Sequence, residues 1–411
     1  MSGDAAGARW ARLFLPFAAG YFLSYLYRTA NAVIGPVLAR ELSLPDNALG
    51  LLTSTYFLAF GAAQLPLGVL LDRYGPRRVE ALLLLVAAAG TTAFALAQGL
   101  AGLAVGRGLI GLGVSACLMA SLKAFSQWFP ADRQASMTGW IMASGGLGAL
   151  AAAKPLELAL EITGWREICF GLAGATAAVA VAIGLLTPEK PTAARHVQLA
   201  AQFADLAEIL KSRQFWRYAP MGFWVTGGFM AVQGLWASRW MNVMEGLGPT
   251  AVANRLSWIG LAMLAGFLFM GFFATPLVRR GVSLSKLYTA AMALGVACLA
   301  AVAGQPGWGD FLWPLLGIGF SLSTIAYSLV AQAFPLAWSG RANTAFNLTL
   351  FAGAFLLQWG IGIVVDALQA AGWTPAEAYR AAFAALLAGQ VGALVWLVAA
   401  GNPDRAPAPP A

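Results

Sequence analysis

The amino-acid sequence predicts an all-α membrane protein of twelve transmembrane helices in two six-helix bundles, with both termini cytoplasmic. Three observations lead there: a composition too apolar for a soluble chain, twelve apolar stretches of spanning length, and a biased placement of basic residues. Of 411 residues, 60% are apolar or aromatic and only 10% are charged, against about 25% charged in soluble domains; the mean hydropathy is +0.72. Crossing a hydrocarbon core takes roughly 20 apolar residues in a helix. Long apolar runs such as 79–97 and 171–186 exclude a β-barrel, whose strands alternate lipid-facing and lumen-facing positions.

The apolar segments lie near 13–38, 48–71, 78–99, 103–127, 135–160, 165–186, 216–241, 252–278, 285–303, 311–334, 342–366 and 378–399. Arg9 and Arg12 precede the first and no cleavage site stands before it, so that segment is expected to remain in the membrane. With the N-terminus inside, inner loops and tails hold 16 of the 25 basic residues, and outer loops hold four: Arg40, Arg166, Arg255 and Arg380. This bias follows the positive-inside rule. The surplus over 17 acidic residues, a net charge of +8, is therefore a topology signal and not a nucleic-acid footprint.

Residues 1–12 read as a cytoplasmic N-terminus, 13–186 and 216–400 as the two bundles, and 187–215 as a cytoplasmic linker. In the linker Phe203, Leu206, Ile209 and Leu210 recur at helical spacing among Asp205, Glu208 and Lys211, the pattern of an interfacial helix. The tail 401–411, rich in Pro and Ala, is expected to be disordered. The halves echo each other at an offset of about 206: Arg73 and Gly75 match Arg279 and Gly281, and Phe129-Pro130 matches Phe334-Pro335. A parallel six-plus-six repeat follows. Cys117, Cys169 and Cys298 stand apart inside apolar runs, which suits neither a disulfide framework nor a metal site.

Between segments two and three the chain reads Gly68-Val-Leu-Leu-Asp72-Arg73-Tyr-Gly75-Pro-Arg77-Arg78. Gly68 permits close helix approach, Asp72 sits near a helix end beside a basic partner, and Gly75 allows the turn. This loop resembles the signature loop of the major facilitator superfamily. The resemblance implies that Gly68, Asp72, Arg73, Gly75, Arg77 and Arg78 gate the cytoplasmic side during alternating access. The second copy keeps Arg279, Arg280 and Gly281 but has Val278 where Asp would stand. Arg107 with Gly111 and Gly113 is similar to the superfamily's fourth-helix pattern, which gives Arg107 a coupling or structural role. Trp128-Phe129-Pro130 before Arg133, and Gly164-Trp165-Arg166, look like the sugar-phosphate permease and anion:cation symporter branches. The drug-antiporter signature in segment five is not matched.

Charges within segments carry the functional reading, because an ionisable group in a membrane span is costly and is a functional hypothesis by default. Tyr21, Tyr25 and Arg28 fall at i, i+4 and i+7 on one helical face, which would offer a cation flanked by phenols. Lys154 interrupts the small residues 149–153, and either faces the cavity or snorkels to the surface; Lys123 has the same two options. Further polar candidates for substrate binding are Gln64, Gln233, Tyr327, Asn343, Asn347 and Gln358, together with Trp236. Of 17 acidic residues only Glu157 and Asp366 fall within segments away from the end of the signature loop, both near outer ends, so no mid-membrane carboxylate is expected.

Buried cations without buried acids suit an anionic substrate that supplies the missing counter-charge. The expectation is a secondary active transporter of the cytoplasmic (inner) membrane. It would move a small organic or phosphorylated anion by rocker-switch alternating access, as a monomer, with a proton or sodium ion as coupling partner. The alternative is a proton-driven drug or metabolite exporter using Glu157. His196 is the sole histidine, and no catalytic set, metal cluster or nucleotide fingerprint is present; no enzyme activity, cofactor or nucleic-acid partner is expected.

Overall fold

A computed structural model describes residues 3–129, 131–188, 207–304, 306–334 and 336–400 of the protein. Within them every regular element is helical, as lipid requires of a backbone that must satisfy its own N–H and C=O groups. The first half comprises α1 (Gly3–Thr29), α2 (Asn31–Glu41), α3 (Asp46–Tyr74), α4 (Pro76–Leu96), α5 (Leu100–Gly113), α6 (Cys117–Trp128), α7 (Ala131–Ala151), α8 (Lys154–Ile162) and α9 (Trp165–Leu186). The second begins with α10 (Arg213–Met221), a π-helical stretch Gly222–Gly227, α11 (Gly228–Ala231), a second π-helical stretch Val232–Trp236 and α12 (Ala237–Glu245). It continues with α13 (Pro249–Arg279), α14 (Leu284–Gly304), α15 (Gly309–Leu322), α16 (Ile325–Gln332), α17 (Leu336–Ala370) and α18 (Pro375–Ala399). Eight helical stretches among the described residues are long and apolar enough to cross a membrane, and the chain is an all-helical membrane protein.

Several predicted segments are not continuous helices. Segment one breaks between α1 and α2, segment four between α5 and α6, segment ten between α15 and α16, and segment seven carries the π stretches. Hydroxyls stand at these breaks: Thr29 donates to the Tyr25 carbonyl at 2.9 Å, Ser115 to Leu112 at 2.7 Å and Thr324 to Ser321 at 2.8 Å. Such bonds compete with the helix ladder and bend it. Segment five breaks after Ala151 because Pro155 lacks an N–H and its ring collides with the carbonyl four residues back. Of the predicted linker, residues 189–206 lie outside the described residues; 207–211 is helical and Ile209 is buried with Phe215 and Tyr218. The tail 401–411 also lies outside them.

The two halves meet along two seams, α3 against α17 and α7 against α13, while α1 packs on α7 and α4 on α5 and α9. Small residues set the close approaches. A Cβ added at Gly106 of α5 would lie 2.7 Å from the Phe94 nitrogen of α4, whereas one at Gly108 would meet nothing within 4 Å. Gly75 and its repeat counterpart Gly281 both take positive φ, 79° and 84°, a backbone region that favours glycine. Overpacking a tight seam costs about 1–3 kcal/mol. Gly106→Val is therefore expected to lower the detergent unfolding midpoint and Gly108→Val to leave it in place; equal midpoints would show that the α4–α5 seam is loose.

Candidate functional site

A cavity of about 620 Å³ lies between the halves near Gly68, Leu71 and Lys123. It shares Gln64, Met142, Tyr327 and Asn347 with a narrower space of about 80 Å³ at Arg28. Arg28 occupies the last turn of α1, just before the break. Its guanidinium carbon is 4.5 Å from the ring centroid of Tyr25, 5.3 Å from Phe60 and 5.8 Å from Phe351, so aromatic faces from both halves surround it. Its Nε is buried without a hydrogen-bond partner, and among the described residues no carboxylate pairs with it. Ring quadrupoles attract a cation but do not neutralise it.

The groups around Arg28 are hydroxyls and amides. Tyr21 and Tyr25 meet edge to face at 5.2 Å, in room left by Gly145, where an added Cβ would lie 2.6 Å from Tyr21. Opposite them Tyr327 donates to Asn347 Oδ1 at 2.6 Å. Asn343 Oδ1 and the Thr226 hydroxyl, on the cavity walls, are buried without partners. Gln64 donates to the Ser115 carbonyl at 3.2 Å, one of the carbonyls freed at the α5–α6 break. Thr226 lies in the first π stretch, and π insertions are frequent at functional sites; the sequence analysis missed it.

Of the sequence-predicted binding residues, Tyr21, Tyr25, Arg28, Gln64, Tyr327, Asn343 and Asn347 line this continuous space, and Lys123 lines its wide end. Four others do not. Lys154, at the start of α8, forms an ion pair with Glu157, whose other oxygen accepts from Thr250 at 2.7 Å. Gln233 Nε2 faces the Met263 sulfur at 2.9 Å. Trp236 donates to the Gln358 carbonyl at 2.9 Å, and both pack where Gly50 of α3 leaves no room for a side chain. These residues close the far end of the molecule. Arg107 is buried, donates to the Tyr27 carbonyl at 3.0 Å and stacks on Tyr56, which fixes α1 near its break. Glu80, which the sequence analysis sets aside at the end of the signature loop, stands in the second turn of α4 and is 0% exposed.

The two ends of the cavity differ. At the signature-loop end Arg77 donates to the Thr187 carbonyl at 3.1 Å, within one half, and Arg73 lies over Tyr74; the Asp72 side chain lies outside the described residues. At the opposite end the halves are tied together. Asp46 pairs with Arg239 and accepts from Tyr379 at 2.7 Å. The Asp366 carboxylate of α17 accepts the backbone N–H groups of Asp46 and Asn47 at 3.2 and 2.7 Å. It thereby caps α3, whose own N-cap position is Pro45. Nearby, outside the spans, hydrogen bonds from Arg166 and Trp165 hold the Glu41 carboxyl below its usual range. Asp46 and Tyr379 are far apart in sequence, and a single sequence carries no signal that joins them.

Residues 17–358 match the Major Facilitator Superfamily. The chain belongs to that family. It is a multi-pass membrane transporter and not an enzyme. The hexuronate transporter of Escherichia coli strain K12 is 26% identical over 426 residues, spanning 97% of this chain and 95% of that protein. The probable L-galactonate transporter of the same strain is 26% identical over 392 residues, spanning 87% and 83%. Crystal structures of a bacterial homologue of the lysosomal transporter Spinster, inward-facing and unoccupied (TM-score 0.73, 17% identity, 96% of this chain and 95% of that chain), share the fold. So does the nucleoside transporter NupG (0.77, 12%, 95% and 100%).

Losing a helix cap costs about 1 kcal/mol, roughly fivefold in an equilibrium. A cysteine introduced at Ala48, 8% exposed beside the Asp366 cap, is expected to react several-fold faster with maleimide once Asp366→Ala is added, the native cysteines being buried. An unchanged rate would show that the cap does not hold this end shut.

Proposed function

We propose that the protein carries a small sugar acid, a hexuronate or an aldonate, across the cytoplasmic membrane by rocking two six-helix bundles about Arg28. In this reading twelve helices cross the membrane and both termini are cytoplasmic. The bundles are 13–186 and 216–400, 187–215 is the linker, and the protein works as a monomer with a proton or sodium ion as coupling partner. The signature-loop end is the cytoplasmic one, so the conformation described faces inward and its periplasmic end is shut.

The observation that carries this reading is the Arg28 guanidinium at the apex of the cavity, half-buried, ringed by aromatic faces and without a carboxylate partner among the described residues. A substrate carboxylate would supply the counter-charge in a bidentate pair. Tyr21, Tyr25, Tyr327, Asn343 and Asn347 offer donors and acceptors suited to sugar hydroxyls. Lys123 stands on the way out, where a cation draws anions towards the site. The names of the relatives, hexuronate and L-galactonate transporters, support the same substrate class. Glu157 is engaged by Lys154 and Thr250 at the closed end, which leaves the exporter alternative without a free acid there.

A hydrogen bond to a charged group contributes about 1.5–3 kcal/mol, or roughly 10- to 100-fold in affinity. Arg28→Gln is therefore expected to abolish the thermal stabilisation that galacturonate gives the purified protein and to weaken its uptake by at least that factor. Stabilisation by lipophilic cations in place of sugar acids, or uptake untouched by Arg28→Gln, would overturn the assignment.

A further inference from the structure

Glu80 stands in the second turn of α4, 0% exposed, and neither of its carboxyl oxygens has a hydrogen-bond partner. Oε1 lies in a notch on α1: a Cβ added at Gly20 would be 2.5 Å from it. From α6 the thiol of Cys117 is the one titratable group, among the described residues, that acts on it. Several charged and titratable groups on the helices around α4 make their contacts elsewhere. Arg107 of α5 goes to the Tyr27 carbonyl, Tyr27 of α1 to Thr176 at 2.8 Å, Arg28 to the cavity and Arg73 of α3 to Tyr74. Lys123 of α6 lines the cavity, and Arg166 of α9 pairs with Glu41. Cys169 of α9 is a buried free cysteine.

A carboxylate ion enclosed with no cation among the described residues, and with only the weakly donating Cys117 thiol beside it, is an uncompensated charge, and such a group takes up a proton instead. We propose that Glu80 is the proton-binding group through which this transporter is driven. The inference rests on the anion-carrier reading above, since it assigns that carrier its coupling ion. Glu80 holds the proton while Gly20 of α1 lies against it. It gives the proton to water, leaving the carboxylate, when movement of α1 opens the Gly20 notch. Gly20 and Arg28 lie on the same helix eight residues apart, about 12 Å along its axis. One rigid element therefore senses both the anion at Arg28 and the proton at Glu80. One proton moving with one monoanion leaves no net charge to carry.

The test uses the full chain in proteoliposomes with radiolabelled galacturonate as probe. The wild type should accumulate it under an inward acid gradient, about tenfold for each pH unit at one proton per substrate. Glu80→Gln should keep gradient-free exchange of internal for external substrate but lose the accumulation. Glu80→Asp, which keeps a titratable carboxyl, should recover part of it. Accumulation by Glu80→Gln equal to that of the wild type would overturn the proposal.

A second measurement needs no substrate. Infrared difference spectra of the purified protein, stepped from acid to alkaline pH, should contain the carbonyl stretch of a protonated carboxylic acid that Glu80→Gln removes and Glu80→Asp shifts. Persistence of that band in both variants also overturns the proposal. A wild type that moves no galacturonate would sink the sugar-acid reading alone, and the infrared result would then decide Glu80.

Discussion

A permanent cation held between two halves of a membrane protein, with no acid among the described residues to meet it, is the constraint on which the site is organised. On insertion scales an Arg at the helix centre costs about 3 kcal/mol, and a cation–π contact returns roughly 0.5–2 kcal/mol. The rings of Tyr25, Phe60 and Phe351 therefore hold the guanidinium without satisfying it. The surroundings make that tolerable in a particular way. Gly145 leaves room for Tyr21 and Tyr25, Arg107 ties down the Tyr27 carbonyl beside the break, and the cavity keeps one side of the guanidinium reachable. A site built so expects its counter-charge from outside, which is how binding a carboxylate becomes favourable against water.

Irregular backbone follows the cavity. In the membrane it is tolerated only where protein or water can satisfy the freed groups, and the interruptions of segments one, four, seven and ten supply Arg28, Ser115, Thr226, Ser323 and Thr324 to the narrow space. Gln64 shows the logic in one bond, since its amide serves the Ser115 carbonyl released by the break. Closure of the far end uses equally modest means: a helix cap by Asp366, one partly exposed ion pair between Asp46 and Arg239, and the packing of Trp236 and Gln358 on Gly50. Exposed pairs and caps are each worth about 1 kcal/mol. A few of them suffice to favour one conformation and remain weak enough to be broken once per cycle.

The segments, the signature loop and the face bearing Tyr21, Tyr25 and Arg28 were legible because each is local: an apolar run, a short word, a spacing of four and three. Legibility failed where the relevant neighbour is distant or the helical register changes. The two π stretches alter the residues per turn in segment seven, so a 3.6-residue period could not place Gln233 or Trp236. The sequence analysis leaves Lys154 between the cavity and the surface, yet Glu157 three residues on stands at the spacing of a helical ion pair, and Pro155 marks the break that takes both out of the cavity wall. Sequence alone passes over Glu80 as standing at the end of the signature loop; its isolation depends on Gly20, sixty residues earlier in the chain.

In the proposed cycle Arg28 and Glu80 divide a task that neither can perform alone. An arginine stays charged at every physiological pH, so it can recognise an anion but cannot register a proton gradient. A carboxyl enclosed by apolar helices changes charge when water reaches it, so its protonation differs between conformations, and a ligand moves an equilibrium only through such differential binding. Both groups bear on α1, Arg28 as part of it and Glu80 through the notch at Gly20. The helix that breaks at Thr29 to expose the cation is therefore the one whose packing keeps the acid dry.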